Sequence, residues 1–164
     1  MKIFIQILLL FFVSNTGYCQ LKPLNKKELK QLIKEGIKAR KEEYKNSWVI
    51  CNKDNSYFKS DTLILHGNIY NTRHLKECCI YIGWEFTNKR KMAQTSIDSC
   101  NPPVIVGKVL TEKDFYKIKL SKKNNKLLLK RYNGSKLIDT YEVLGYTETQ
   151  NENHKSPVMT LVRQ

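Results

Sequence analysis

Two periods of apolar residues divide the chain. Between Asn25 and Lys45, the residues Leu29, Leu32, Ile33, Ile37 and Tyr44 recur at the spacing of a helix with one apolar stripe. Asn25 is placed to cap the first turn, and Glu28 stands three residues on, where a capping box requires it. Pro23 stops extension upstream. Gly36 weakens the middle by about 1 kcal/mol relative to Ala. Basic residues outnumber Glu over the rest of the helix surface. The stripe is thin and lacks Trp and Phe, so a helix packed on a sheet is expected rather than one lying on an anionic membrane.

From Ser47 onward the period becomes two. Cys78, Ile80, Ile82, Trp84 and Phe86 alternate with Cys79, Tyr81, Gly83, Glu85 and Thr87. The first set is wholly apolar, which predicts a strand with one buried face, Cys78 inward and Cys79 outward. Further strands are expected at Trp48–Cys51, Thr62–His66, Val104–Leu110, Phe115–Leu120, Lys126–Tyr132, Lys136–Thr147 and Val158–Val162. Asn101, Pro102 and Pro103 mark a loop, because consecutive prolines cannot lie inside a ladder. Asn124-Asn125 and Asn133-Gly134 read as turns joining three successive strands. At the second turn, a two-residue loop would set Arg131 against Lys136, whereas a four-residue loop sets Lys130 against Asp139. Cross-strand charge pairing favours the longer loop. The fold class expected is mainly β (α+β): an N-terminal amphipathic helix, then an antiparallel up-and-down sheet or barrel of about eight strands.

The first residues belong to a different class of segment. Lys2 precedes an apolar run from Ile3 to Val13, too short for a membrane-spanning helix of about 20 residues. Gly17 and Cys19 are small and two apart, which fits a signal-peptidase site between Cys19 and Gln20. Residues 1–19 are therefore read as a signal peptide and 20–164 as one β-rich domain with no transmembrane segment. Export to a periplasm or the cell exterior follows. Lipidation at Cys19 is the less favoured alternative, since Tyr18 stands where a small residue is wanted.

Four cysteines remain after that cut: Cys51, Cys78, Cys79 and Cys100. An even number in an exported chain predicts disulfides. A bridge between adjacent Cys78 and Cys79 strains the intervening peptide. Two pairings are left, 51–78 with 79–100 or 51–79 with 78–100. Each loop so closed is worth about 3–4 kcal/mol on chain-entropy grounds.

A helix, a Trp on the first strand (Asn46-Ser47-Trp48) and a meander from Phe115 to Thr147 together resemble the lipocalin-like secreted barrels. Two features depart from that family: Asn46 stands where it usually carries Gly, and the helix precedes the strands. The resemblance implies a cup holding a small apolar molecule, and it transfers no catalytic residues.

Little else in the chain carries chemistry. It holds no G-x-S-x-G, H-E-x-x-H, phosphate-binding glycine loop or dinucleotide fingerprint. Its three histidines, His66, His74 and His154, lack metal-ligand spacing relative to the cysteines. No cofactor and no metal is expected, and the protein is read as non-catalytic. The formal charge is +14, and residues 108 to 136 alone hold ten basic and two acidic residues. Such a surface attracts polyanions. The basic residues are 24 Lys and only 5 Arg, a composition poor in the bidentate groups that read nucleic acid. Export argues further against a nucleic-acid partner.

Two functions are therefore expected. The first is a non-catalytic envelope protein, structural or holding a small apolar ligand among Trp48, Trp84, Phe86, Tyr132 and Tyr141. The second is a basic module for an anionic polysaccharide or lipid surface.

Overall fold

The computed structural model describes residues 21–43, 48–67, 78–98, 105–106, 112–151 and 154–164. The expected signal peptide, Asn46, Ser47, Cys100, His74 and most of the 104–110 strand lie outside these.

Asn25 ends up as the N-cap of helix α1 (Lys26–Glu43). Its Oδ1 accepts the amides of Lys27 and Glu28 at 2.8 and 3.0 Å, and its own amide donates to Glu28 Oε2 at 2.8 Å. The capping box is thus formed as the sequence predicts. Leu29 and Ile33 are buried on the inner face of α1, which packs against β3 and β6.

Among the described residues nine strands follow: β1 (Trp48–Cys51), β2 (Thr62–Gly67), β3 (Ile80–Asn88), β4 (Lys91–Asp98), β5 (Ile105–Val106), β6 (Phe115–Lys123), β7 (Lys126–Asn133), β8 (Lys136–Asn151) and β9 (His154–Arg163). A short helix, α2 (Ser56–Lys59), lies between β1 and β2. Eight strands close an antiparallel barrel in the order β3-β1-β2-β9-β8-β7-β6-β4, with β4 pairing back to β3. β5 is a two-residue addition on β4. Neighbours around the barrel follow chain order except that β1 lies between β2 and β3.

β4 is the element that periodicity did not reveal. Met92 and Gln94 share the inward parity of their partners Phe86 and Trp84, Ser96 of the same parity is exposed, and Ala93, Thr95 and Ile97 are buried on the other face. Polar residues on the inward parity and buried residues on both faces leave no apolar alternation to see in the sequence.

The turn chemistry is explicit in the backbone. Asn124 and Asn125 have φ of 49° and 61°, the left-handed pair of a tight hairpin between β6 and β7. At the next hairpin Asn133 pairs with Lys136 around Gly134, whose φ is 58°. This corrects the four-residue loop. Tyr132 pairs with Leu137, the register then shifts, and Arg131 faces Asp139 while Lys130 faces Thr140. Charge pairing does decide the register, but through Arg131 and a one-residue bulge.

The Cys51–Cys78 disulfide, with Cα atoms 5.8 Å apart, ties the end of β1 to the start of β3. This is the 51–78 half of the first pairing. Cys78 is buried and Cys79 exposed, as alternation predicts. Cys79 is also disulfide-bonded, its partner lying outside the described residues.

The barrel has two distinct ends. β1 begins, and the β3–β4 and β6–β7 turns lie, at the end where Gly36 of α1 comes against Trp48. The β1–β2 connection, the β7–β8 turn and Arg163 lie at the other.

Candidate functional site

The interior is built from side chains of alternating parity on all eight strands. Trp48, Ile50, Leu63, Leu65, Ile82, Trp84, Phe86, Met92, Leu129, Tyr141, Met159 and Leu161 belong to one buried cluster, joined by Leu29 and Ile33 of α1. Of the five residues expected to line a ligand cavity, Trp48, Trp84, Phe86 and Tyr141 stand in this cluster, Trp84 and Tyr141 with 0% exposure. Their rings lie on the inner side of the sheet, and Trp84 meets Tyr141 edge-on at 5.4 Å between centroids. Tyr132 is on the opposite face of β7 from Arg131, with Lys119 over its ring at 5.1 Å.

Toward the α2 end the core becomes polar. Arg131 is 3% exposed. Its Nε donates to Asp139 Oδ1 at 2.7 Å and its Nη2 to Oδ2 at 2.5 Å, a bidentate pair. Arg131 Nη1 donates to Gln94 Oε1 at 2.8 Å, which also accepts the Tyr57 hydroxyl at 2.9 Å. Tyr57 in turn accepts the Trp84 indole N–H at 3.0 Å, and Tyr141 donates to Asp139 Oδ2 at 3.0 Å. The Arg131 guanidinium lies 4.7 Å from the Trp84 ring and 4.6 Å from that of Tyr116. Burial acts to lower the Arg131 pKa, but the hydrogen bond to Asp139 and the surrounding tyrosines raise it above the ordinary value. Burial likewise pushes the Tyr141 and Tyr116 phenols up, against the opposing pull of Arg131.

Tyr57 comes from α2, which lies over this end. Arg163 clamps the helix by donating to the carbonyl oxygens of Phe58 at 2.9 Å and Tyr57 at 3.1 Å. The barrel is therefore stoppered at one end by α1 and at the other by Tyr57. Sequence reasoning missed this network. The signal was present: Arg131 follows Leu127 and Leu129 in the inward parity of β7, in a chain that otherwise uses Lys.

Two concavities of the outer surface are lined by described residues. One, of about 400 Å³, is lined by Lys26, Lys27, Lys30, Gln31 and Lys34 of α1 and by Lys89 of the β3–β4 turn. No carboxylate is among its lining residues. Glu28 is engaged in the capping box, and Glu35 Oε1 accepts the Gln31 amide at 2.8 Å. A second, of about 430 Å³, has Lys123, Lys126 and Lys130 around Leu128. Here Lys126 is paired with Glu142 at 2.7 Å.

These lysines are unevenly distributed over the molecule. Among the described residues, the α1 end carries exposed Lys26, Lys27, Lys30, Lys34, Lys89, Arg90, Lys91, Lys122, Lys123 and Lys126 against Glu28, Glu35 and Glu148. At the α2 end Lys53, Lys59, Lys113 and Lys136 alternate with Asp54, Asp61, Asp98 and Asp114. The first end is a cationic surface and the second is balanced.

Among the described residues, no group of three or more His, Cys, Asp or Glu stands close enough to hold a metal ion. No helix among them is long and apolar enough to cross a membrane. Compared with protein-family models, with curated proteins and with solved structures, the chain matches none.

Proposed function

We propose that the protein is an exported, non-catalytic barrel that uses its cationic end to hold an anionic polymer or surface. The observation that carries this reading is the concentration of lysines around α1 and the β3–β4 and β6–β7 turns, facing a charge-balanced opposite end. A lysine field of this kind draws polyanions and gives salt-dependent affinity. The Cys51–Cys78 bridge supports export, because such bridges persist in oxidising compartments.

An eight-stranded antiparallel barrel supports a lipocalin-like scaffold. Trp84, Phe86 and Tyr141, buried on its inner side, support using it as a rigid frame for binding on its outside. Binding to heparin, a generic polyanion, should be measured by calorimetry over a range of salt. The reading predicts affinity that falls steeply with ionic strength. Affinity insensitive to salt, or no binding at low salt, contradicts it.

A further inference from the structure

We infer that the concavity between α1 and the β3–β4 turn is a binding cleft for a single, extended acidic polysaccharide chain. This rests on the polyanion reading and assigns it a site and a ligand class.

The concavity is open to solvent and its lysines are exposed. The cleft of about 400 Å³ falls in the volume range of small-ligand sites, roughly 300–1,000 Å³.

Spacing excludes a single small anion. Lys26, Lys30 and Lys34 succeed one another by one helical turn, about 6 Å apart and about 12 Å from first to last. One phosphate cannot reach both ends of that row. A chain bearing a carboxylate, phosphate or sulfate on successive sugars presents charges along a line, as the row does. Lys27 stands beside the first of these lysines, and Lys89 supplies a cation from the facing turn.

Chemistry favours sugar over nucleotide. Single-stranded nucleic acid is held by aromatic platforms on which bases stack, and the cleft lining contains no aromatic side chain. Its cations are all Lys, which act as point charges and do not impose the planar bidentate geometry of Arg. Gln31 is the one neutral polar group in the lining; its amide N–H is held by Glu35, which leaves its carbonyl oxygen as the group that can accept from a sugar hydroxyl. The second concavity makes a poorer site, since Lys126 is already neutralised by Glu142.

The test compares two triple variants of the disulfide-bonded protein. Lys30→Gln, Lys34→Gln and Lys89→Gln remove three charges from the cleft. Lys53→Gln, Lys113→Gln and Lys136→Gln remove three from the α2 end, and circular dichroism checks that both fold. The probes are linear oligogalacturonate, inorganic phosphate, phosphatidylglycerol vesicles and a single-stranded DNA oligomer. The cleft variant is expected to bind oligogalacturonate about tenfold or more weakly than the parent, with a shallower salt dependence, while the control variant stays within about twofold. Equal losses in both variants overturn the cleft and leave the broader cationic reading standing. So does cleft-dependent binding that favours phosphate, vesicles or DNA over oligogalacturonate. Failure of the parent protein to bind any of these polyanions at low salt removes the broader reading itself.

Discussion

Arg131 sits between Trp84 and Tyr116 with its charge answered by Asp139, and those contacts determine what its partners' substitution does. Asp139→Asn leaves a buried guanidinium without a counter-charge. It should destabilise the fold by about 3 kcal/mol or more in chemical denaturation, because breaking one half of a buried pair strands the other. Adding Arg131→Met to the Asp139→Asn variant should recover part of that loss. Tyr141 gives a second handle at the same place. Its pKa is raised from 10.0 chiefly by burial, so the folded protein holds the phenolic proton more tightly than the unfolded chain does. That preference costs nothing while both states are protonated, below the ordinary tyrosine value. As pH rises beyond it the unfolded chain ionises first, and stability falls. The denaturation midpoint should therefore decline above about pH 10. The decline should be shallower in Tyr141→Phe, and a midpoint that climbs over this range contradicts the assignment.

The Cys51–Cys78 bridge joins two neighbouring strands whose own pairing is only four residues long. Replacing both cysteines by Ser should cost about 3–4 kcal/mol, read as a shift in denaturant midpoint. At Gly145 a side chain has nowhere to go: a Cβ there would lie 2.5 Å from the Lys22 carbonyl oxygen. Lys22 and Tyr146 exchange two backbone hydrogen bonds of 2.9 Å across this point. Gly145→Ala should push the N-terminal segment off β8, and hydrogen exchange at the Lys22 amide should accelerate while the amides of β7 stay protected. The elements themselves were mostly legible in the sequence, because capping at Asn25, the Asn-Asn turn and the alternation in β3 are local signals. Three features were not legible, each for a physical reason. β4 faces polar Gln94 into the core to serve Arg131, which erases its apolar parity. The bulge before Tyr132 lets Asp139 reach Arg131, and a one-residue shift of register leaves no periodic trace. β1 is placed between β2 and β3 by pairings distant in sequence. The aromatic residues could be assigned to the inner face, but alternation gives no measure of how completely they fill it.

At the scale of the whole molecule, net charge alone describes a protein that is basic everywhere. The barrel sorts that charge. Turns rich in Lys close on the α1 end, where α1 adds its own lysine row, while Asp and Lys alternate at the α2 end. Only folding brings Lys89 to the lysines at positions 26–34, which is why the cleft is invisible along the chain. The central claim is that a closed barrel serves as a frame for binding on its outer cationic end. Nuclear magnetic resonance titration of the isotope-labelled protein with an acidic oligosaccharide tests this most directly. The account predicts that shifts concentrate at the amides of Lys26 to Lys34 and at Lys89, while the Trp84 indole N–H, bonded to Tyr57 in the interior, does not move. Shifts centred on that indole and on Tyr57, with the α1 amides unchanged, would contradict it.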